Sequence, residues 1–182
     1  MRPIILAACY LLLSSSHVFC DDSTPTPIAD LIKGKLVDAK GHLLDDPASD
    51  ATPIKYYAIY YSAQWCPPCH RFTPLLVSFY NDFKPTHPDF ELIFVSEDNN
   101  EDSMLAYMKE MSMPWPAIKY RYLKSDKNGG FKGPGIEQFV GDGIPDLVLV
   151  DANGKVLADS FENGQYVGPQ KVIEAIKSQV KP

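Results

Sequence analysis

Cysteine is scarce in this 182-residue chain, with four occurrences, and tryptophan appears only at positions 65 and 115. Four cysteines are too few for a dense disulfide scaffold. Positive charge is also short: 17 lysines and arginines against 23 acidic residues leave a net charge of −6. The basic residues are scattered, so no stripe suited to nucleic acid forms, and the mild acidity reads as solubility. No internal repeat or low-complexity tract occurs. The apolar run Ile4 to Leu13 is too short to cross a bilayer, which excludes stable membrane insertion through it.

That run has another reading. Met1-Arg2, the apolar stretch, Ser14-Ser15-Ser16 and then Val18-Phe19-Cys20 ahead of Asp21 have the anatomy of a secretory signal peptide, residues 1–20. A lipid anchor on Cys20 is rejected, because His17-Val18-Phe19 lacks the small residue expected before it. Cleavage would remove Cys9 and Cys20 and leave Cys66 and Cys69 alone. A lone pair so close in sequence closes almost no loop, so it would stabilise little and must serve exchange. Residues 21–34 are expected to be a disordered, proline-bearing leader, and 35–182 one domain with a sizeable core. The chain end Ser178-Gln179-Val180-Lys181-Pro182 carries no retention signal, so the expected compartment is the periplasm, with a secretory lumen or the exterior as alternatives.

Periodicity supplies the order of elements. Leu36-Val37 and Leu43-Leu44 flank Asp38 to Gly41, which predicts an N-terminal hairpin. Tyr56 to Tyr61 and Phe90 to Val95 read as strands buried on both faces. Phe72, Leu75, Leu76, Phe79 and Phe83 form a helical stripe between them, making a βαβ unit. A helix capped by Asn99 or Asn100 follows, with Met104, Leu105, Met108 and Met111 on its buried face. Lys124 to Gly135 reads as a surface loop and Gly135 to Val140 as a short helix. Leu147 to Asp151 and Lys155 to Ala158 flank Asn153-Gly154, a strong hairpin signal, and Pro169 opens a final amphipathic helix. The fold class is therefore α/β, a central mixed sheet flanked by helices.

Cys66 and Cys69 sit at the first strand-to-helix junction, within Trp65-Cys66-Pro67-Pro68-Cys69-His70. Cys66 falls at the helix N-cap, where unpaired backbone N–H groups and the helix dipole favour thiolate. Cys69, three residues on, faces the same side within disulfide reach. Pro67 occupies the first helical position, where a missing N–H costs nothing. Together these describe a dithiol/disulfide switch, with Cys66 as nucleophile and Cys69 as resolving thiol.

Trp65-Cys66-Pro67-Pro68-Cys69 resembles the active site of the thioredoxin superfamily, and most closely its tryparedoxin and nucleoredoxin branch. Pro74 matches the proline of the long active-site helix, and Met113-Pro114-Trp115 a segment of that branch. Gly143-Ile144-Pro145 before Leu147 to Val150 is similar to the superfamily's cis-proline turn. Two positions depart from the patterns. Tyr60 stands where thioredoxins bury an aspartate, and in Glu97-Asp98-Asn99 only Asp98 fits the branch's Trp-Asp-Glu. The resemblance implies a thioredoxin fold, here with the N-terminal hairpin as an extension, and a protein-disulfide reductase that needs no cofactor. Its expected partners are disulfide-containing proteins and an external dithiol donor. Trp65, Pro67, Pro68, Ile144 and Pro145 would contact the substrate, the last two by strand addition. The chain is expected to act as a monomer.

Other readings exist for the same residues. A disulfide oxidase or isomerase uses the same pair. Cys66-Pro67-Pro68-Cys69-His70 also spells a c-type haem attachment signal, although a buried strand precedes it. Structural zinc would need two further ligands, with only His42, His70 and His87 at hand. A redox-inert binding module would have little use for both cysteines. His70 is expected to be an exposed helix residue, Trp65 a partly exposed rim and Tyr60 core.

Overall fold

The computed structural model describes residues 27–45, 53–123 and 135–181. The proposed signal peptide, most of the 45–53 loop and nearly all of the 124–135 loop lie outside them. At the centre, β2 (Tyr56–Ser62) runs parallel to β3 (Phe90–Ser96) and antiparallel to β5 (Asp146–Asp151). Tyr60 therefore sits level with Phe94 on one side and Leu147 on the other. Adding β1 (Leu36–Val37), β4 (Ala117–Ile118) and β6 (Val156–Asp159) gives a six-stranded mixed sheet in the order β1-β4-β3-β2-β5-β6.

Helix α2 (Pro67–Phe83) makes the crossover from β2 to β3, and α3 (Glu101–Glu110) that from β3 to β4. Both connections join parallel strands and continue in one direction, so right-handed crossovers put the two helices on one face. Asn100 caps α3, accepting from the Ser103 amide at 2.8 Å, with Glu101 and Asp102 in the first turn. Met104 and Met108 are buried as the periodicity predicts, and Tyr107 joins them. Helix α4 (Pro169–Gln179) lies beside α2, with Lys177 Nζ over the Phe79 ring. Pro74 sits inside α2 and withholds one helical N–H.

One expectation at the N-terminus is corrected. The leader 21–34 is not disordered throughout: α1 (Ile28–Ile32) is a helical turn whose Ile28 and Ile32 are buried. The Ile28 amide donates to the Ala152 carbonyl at 2.9 Å, which ties the segment to the β5–β6 turn. Burial of two isoleucines outweighs the polar, proline-rich composition just before them. The N-terminal hairpin forms in short form: Val37 bridges Leu43, the Asp38 amide donates to the His42 carbonyl and the Leu44 amide to the Leu36 carbonyl, both at 3.0 Å. Leu36 and Val37 pair on their other edge with Ile118 and Ala117 of β4, while Leu43 and Leu44 stay exposed. Ile28→Val is expected to lower stability by about 1 kcal/mol. An unchanged urea midpoint would show that α1 is undocked in solution.

One hairpin went unanticipated. β7 (Phe161–Glu162) and β8 (Gln165–Tyr166) pair around Asn163-Gly164, both at positive φ (52° and 75°). Its Phe161 ring lies where a Cβ on Gly141 would stand, so only glycine at 141 lets the hairpin seat.

Candidate active site

The end of β2 delivers the chain into the site. Ala63 is buried, and its carbonyl accepts from the Cys66 amide at 3.2 Å, turning the backbone just before α2. Cys66 is the N-cap of α2, in extended conformation (φ −97°, ψ 104°). Its Sγ accepts from the Cys69 amide at 3.3 Å. The two cysteines form a disulfide across Cα atoms 5.3 Å apart. Cys69 is wholly enclosed, whereas Cys66 keeps 3 % of its surface open, so an incoming sulfur meets Cys66 first.

The turn before β5 closes over the pair. The Ile144 carbonyl oxygen lies 3.7 Å from Cys66 Sγ, and the Ile144–Pro145 bond is cis. Pro145's own carbonyl is occupied, accepting from the Tyr166 hydroxyl at 2.9 Å. Pro67 and Pro68 are exposed at the other side of the opening. Trp65 is 57 % exposed, and its indole N–H donates to the Glu97 carbonyl at 3.1 Å, which fastens the ring and leaves a face open. Cys66, Cys69 and Ile144 are thus brought together, with Trp65, Pro67, Pro68 and Pro145 as their neighbours in the chain.

Below the opening, the loop is clamped in ways that local pattern does not show. Asp98 accepts from the Gln64 amide and from the Ser96 hydroxyl, both at 2.8 Å. Burial raises the Asp98 pKa, against the pull of those two donors and of His70. His70 Nε2 lies 2.5 Å from the Gln64 carbonyl, with its ring against Tyr107 at 5.1 Å. His70 is therefore a half-buried loop clamp, where an exposed helix residue was expected. Of the other histidines weighed as zinc ligands, His42 approaches Asp38 in the N-terminal turn and His87 stacks on Phe83 at the far end of α2.

A hydroxyl network underlies the cysteines. Tyr60 and Thr73 are 2.8 Å apart, Thr73 and Tyr107 2.7 Å, and Ser62 and Tyr107 3.1 Å. Thr73 also donates to the Cys69 carbonyl at 2.9 Å. Burial, the largest cause in each case, pushes the Tyr60 and Tyr107 phenols up, so both stay protonated and neutral. Tyr60 thus fills the position of the thioredoxin aspartate with a group that carries no charge.

A carboxyl appears elsewhere. Asp146, directly after Pro145, is fully buried. Its Oδ2 accepts from the Gly141 amide at 2.8 Å, while Oδ1 has no hydrogen-bond partner among the described residues. Burial pushes its pKa up to about 7. Neither Asp146 nor the network was found from sequence: the network's partners lie on other elements, and the sheet sets the burial of Asp146. The Tyr166 hairpin was readable, since Asn163-Gly164 is the same signal as Asn153-Gly154.

Chemically, the arrangement suits reversible thiol–disulfide exchange: a capped sulfur, a bonded neighbour and one narrow approach. The pattern of the Thioredoxin-like family matches residues 54–156, more than half of the chain. Nucleoredoxin of Danio rerio is 35 % identical over 137 residues, covering 73 % of this chain and 29 % of that protein. The chain thus spans less than a third of the length of that curated relative. Among solved structures, thioredoxin of Wuchereria bancrofti superposes with a TM-score of 0.58 at 26 % identity, over 81 % of this chain and 96 % of that one. Tryparedoxin I of Leishmania major gives 0.56 at 26 %, over 81 % and 92 %. With a Cys66–Cys69 disulfide at the start of α2, the chain belongs to the Thioredoxin-like family and is nucleoredoxin- and tryparedoxin-like within it.

Proposed function

We propose that this protein reduces disulfides in other proteins. The observation that carries the reading is the surrounding of Cys66 Sγ: a helix N-terminus, with the Cys69 amide as the N–H that reaches it. Pro67 and Pro68 have no N–H to offer, and no cationic residue lies between the cysteines. The dipole lowers the thiol pKa, and one donor stabilises the thiolate only modestly. A modestly stabilised thiolate disfavours the dithiol state, which makes the dithiol a better reductant.

In the reduced protein, Cys66 thiolate attacks one sulfur of the substrate disulfide, and the other substrate sulfur leaves as a thiolate and takes up a proton. Cys69, deprotonated, then attacks Cys66 Sγ of the mixed disulfide. The second substrate thiol is released, and the Cys66–Cys69 disulfide seen here forms. Two electrons pass to the substrate, and an external dithiol restores them. Trp65, Pro67 and Pro68 flank the entering chain, and the Ile144 backbone beside Pro145 offers the edge for strand addition. With Pro145's carbonyl held by Tyr166, the Ile144 carbonyl is the acceptor left facing the substrate.

The reading includes export, supported by the leader-like residues 1–20, with the periplasm as the proposed compartment. Sequencing the N-terminus of exported protein should start at Asp21; an intact Met1 start would refute cleavage. For the chemistry, rapid alkylation across pH should give Cys66 a midpoint below the ~8.5 of a free thiol. It should also lie well above the ~3.5 of a strong oxidant, and a midpoint near that lower value would make oxidase the better reading.

A further inference from the structure

Beside the disulfide lies a recess of about 260 Å³ whose walls include Pro68, Phe72, Leu75, Pro145 and Tyr166, with Arg71 among its lining. Three features set it apart. First, Leu75 and Tyr166, 57 % and 52 % exposed, are among the few large apolar side chains open to solvent among the described residues, and both line this space. Second, the wall is fixed: the Tyr166 hydroxyl is bonded to the Pro145 carbonyl, and Phe161 of the same hairpin seats on Gly141. Third, Arg71 is exposed, and no carboxylate pairs with it among the described residues.

The volume falls below that of ordinary small-molecule pockets, which start near ~300 Å³, and suits a single side chain. Pro68 lies between the two cysteines in the chain and Pro145 follows Ile144, whose carbonyl is 3.7 Å from Cys66 Sγ, so the recess they line is within reach of a chain whose cysteine is attacked at Cys66. An unpaired guanidinium at the edge of an apolar wall selects a carboxylate, ideally through two parallel hydrogen bonds. The protein's net charge of −6 repels an acidic partner overall, so this local cation has to supply the preference.

We propose that the recess is a substrate subsite: it takes one apolar side chain adjacent to the attacked cysteine, and Arg71 pairs with a carboxylate following it. The subsite rests on the disulfide-reductase reading for its use, and it names the substrate class as disulfide proteins with an apolar–acidic flank. Basic flanks are rejected by the same guanidinium.

The test uses the Cys66→Ser/Cys69→Ser protein, which binds without exchange. Eight-residue peptides, with serine in place of the cysteine followed by Leu-Glu, Leu-Lys or Gly-Glu, are titrated and followed by NMR. The Leu-Glu peptide should bind about fivefold more tightly than Leu-Lys. It should bind about tenfold more tightly than Gly-Glu. Shifts should concentrate at Arg71, Leu75 and Tyr166. Arg71→Gln should level the two leucine peptides, and Arg71→Glu should invert their order. Equal affinities for all three peptides, or a charge preference that survives Arg71→Gln, would overturn the subsite. Since no turnover is needed, failure of insulin reduction would count against the reductase reading and leave the peptide result to judge the subsite alone.

Discussion

Replacing Cys66 with serine is expected to lower insulin reduction by more than about 1,000-fold, since the step that opens the substrate disulfide then has no sulfur nucleophile. Cys69 cannot take over, because it is wholly enclosed beneath Cys66. Cys69→Ser should lose turnover to a similar extent, for a different reason. Its Cys66 still attacks, yet the mixed disulfide has no internal thiol to resolve it, so covalently captured partners should accumulate and be released by dithiothreitol. The pair of variants separates the two roles. Capture by Cys66→Ser and none by Cys69→Ser would reverse the assignment. Turnover retained in both would refute the exchange mechanism.

Those two cysteines were legible in the sequence because everything that defines them is local. A buried strand, a proline-rich helix start and a spacing of three residues all lie within one short stretch. The same holds for β3, α3, the β5–β6 hairpin and α4, each with its own period or turn signal. What escaped depends on distant partners. α1 is one helical turn, and its helicity comes from seating Ile28 and Ile32 against the core and from a bond to Ala152. Tyr107 reaches Ser62 and Thr73, 45 and 34 residues away. No periodicity marks a hydroxyl as part of a network. Asp98 was noticed only as the one match to a pattern whose flanking residues differ here; its role in holding the Gln64 amide appears only in the fold. Asp146 reads in sequence as an ordinary acidic residue at a strand start, and only the sheet shows that it is enclosed.

Asp146→Asn is expected to raise stability at pH 8 by about 4 kcal/mol and to change it little near pH 4. Burial raises the folded carboxyl from 3.8 to about 7, with Asp159 and Glu97 pushing the same way and the Gly141 amide and Ser160 hydroxyl opposing them. Tyr61, level with Asp146 on β2, is itself held neutral by burial and by this carboxyl. A group whose folded pKa is raised binds its proton more tightly in the native state. Its contribution is therefore fully present below pH 3.8, the unfolded value, and is lost as pH rises through about 7. Above that, the chain carries an enclosed charge whose Oδ1 has no partner. Asparagine keeps the shape and can accept from the Gly141 amide while removing the charge. The comparison is made from urea midpoints of both proteins between pH 4 and pH 9. Glu97 and Asp159, also raised by burial, titrate in both, so the difference reports Asp146 together with its repulsion from these two carboxylates. A gap that stays constant with pH would show that the enclosed carboxyl does not titrate in this range. The bond from Asp146 to Gly141 spans the turn carrying Ile144, whose carbonyl faces Cys66. A costly carboxyl thus anchors the backbone edge opposite the reactive sulfur, and its removal should stabilise the fold most where it is ionised.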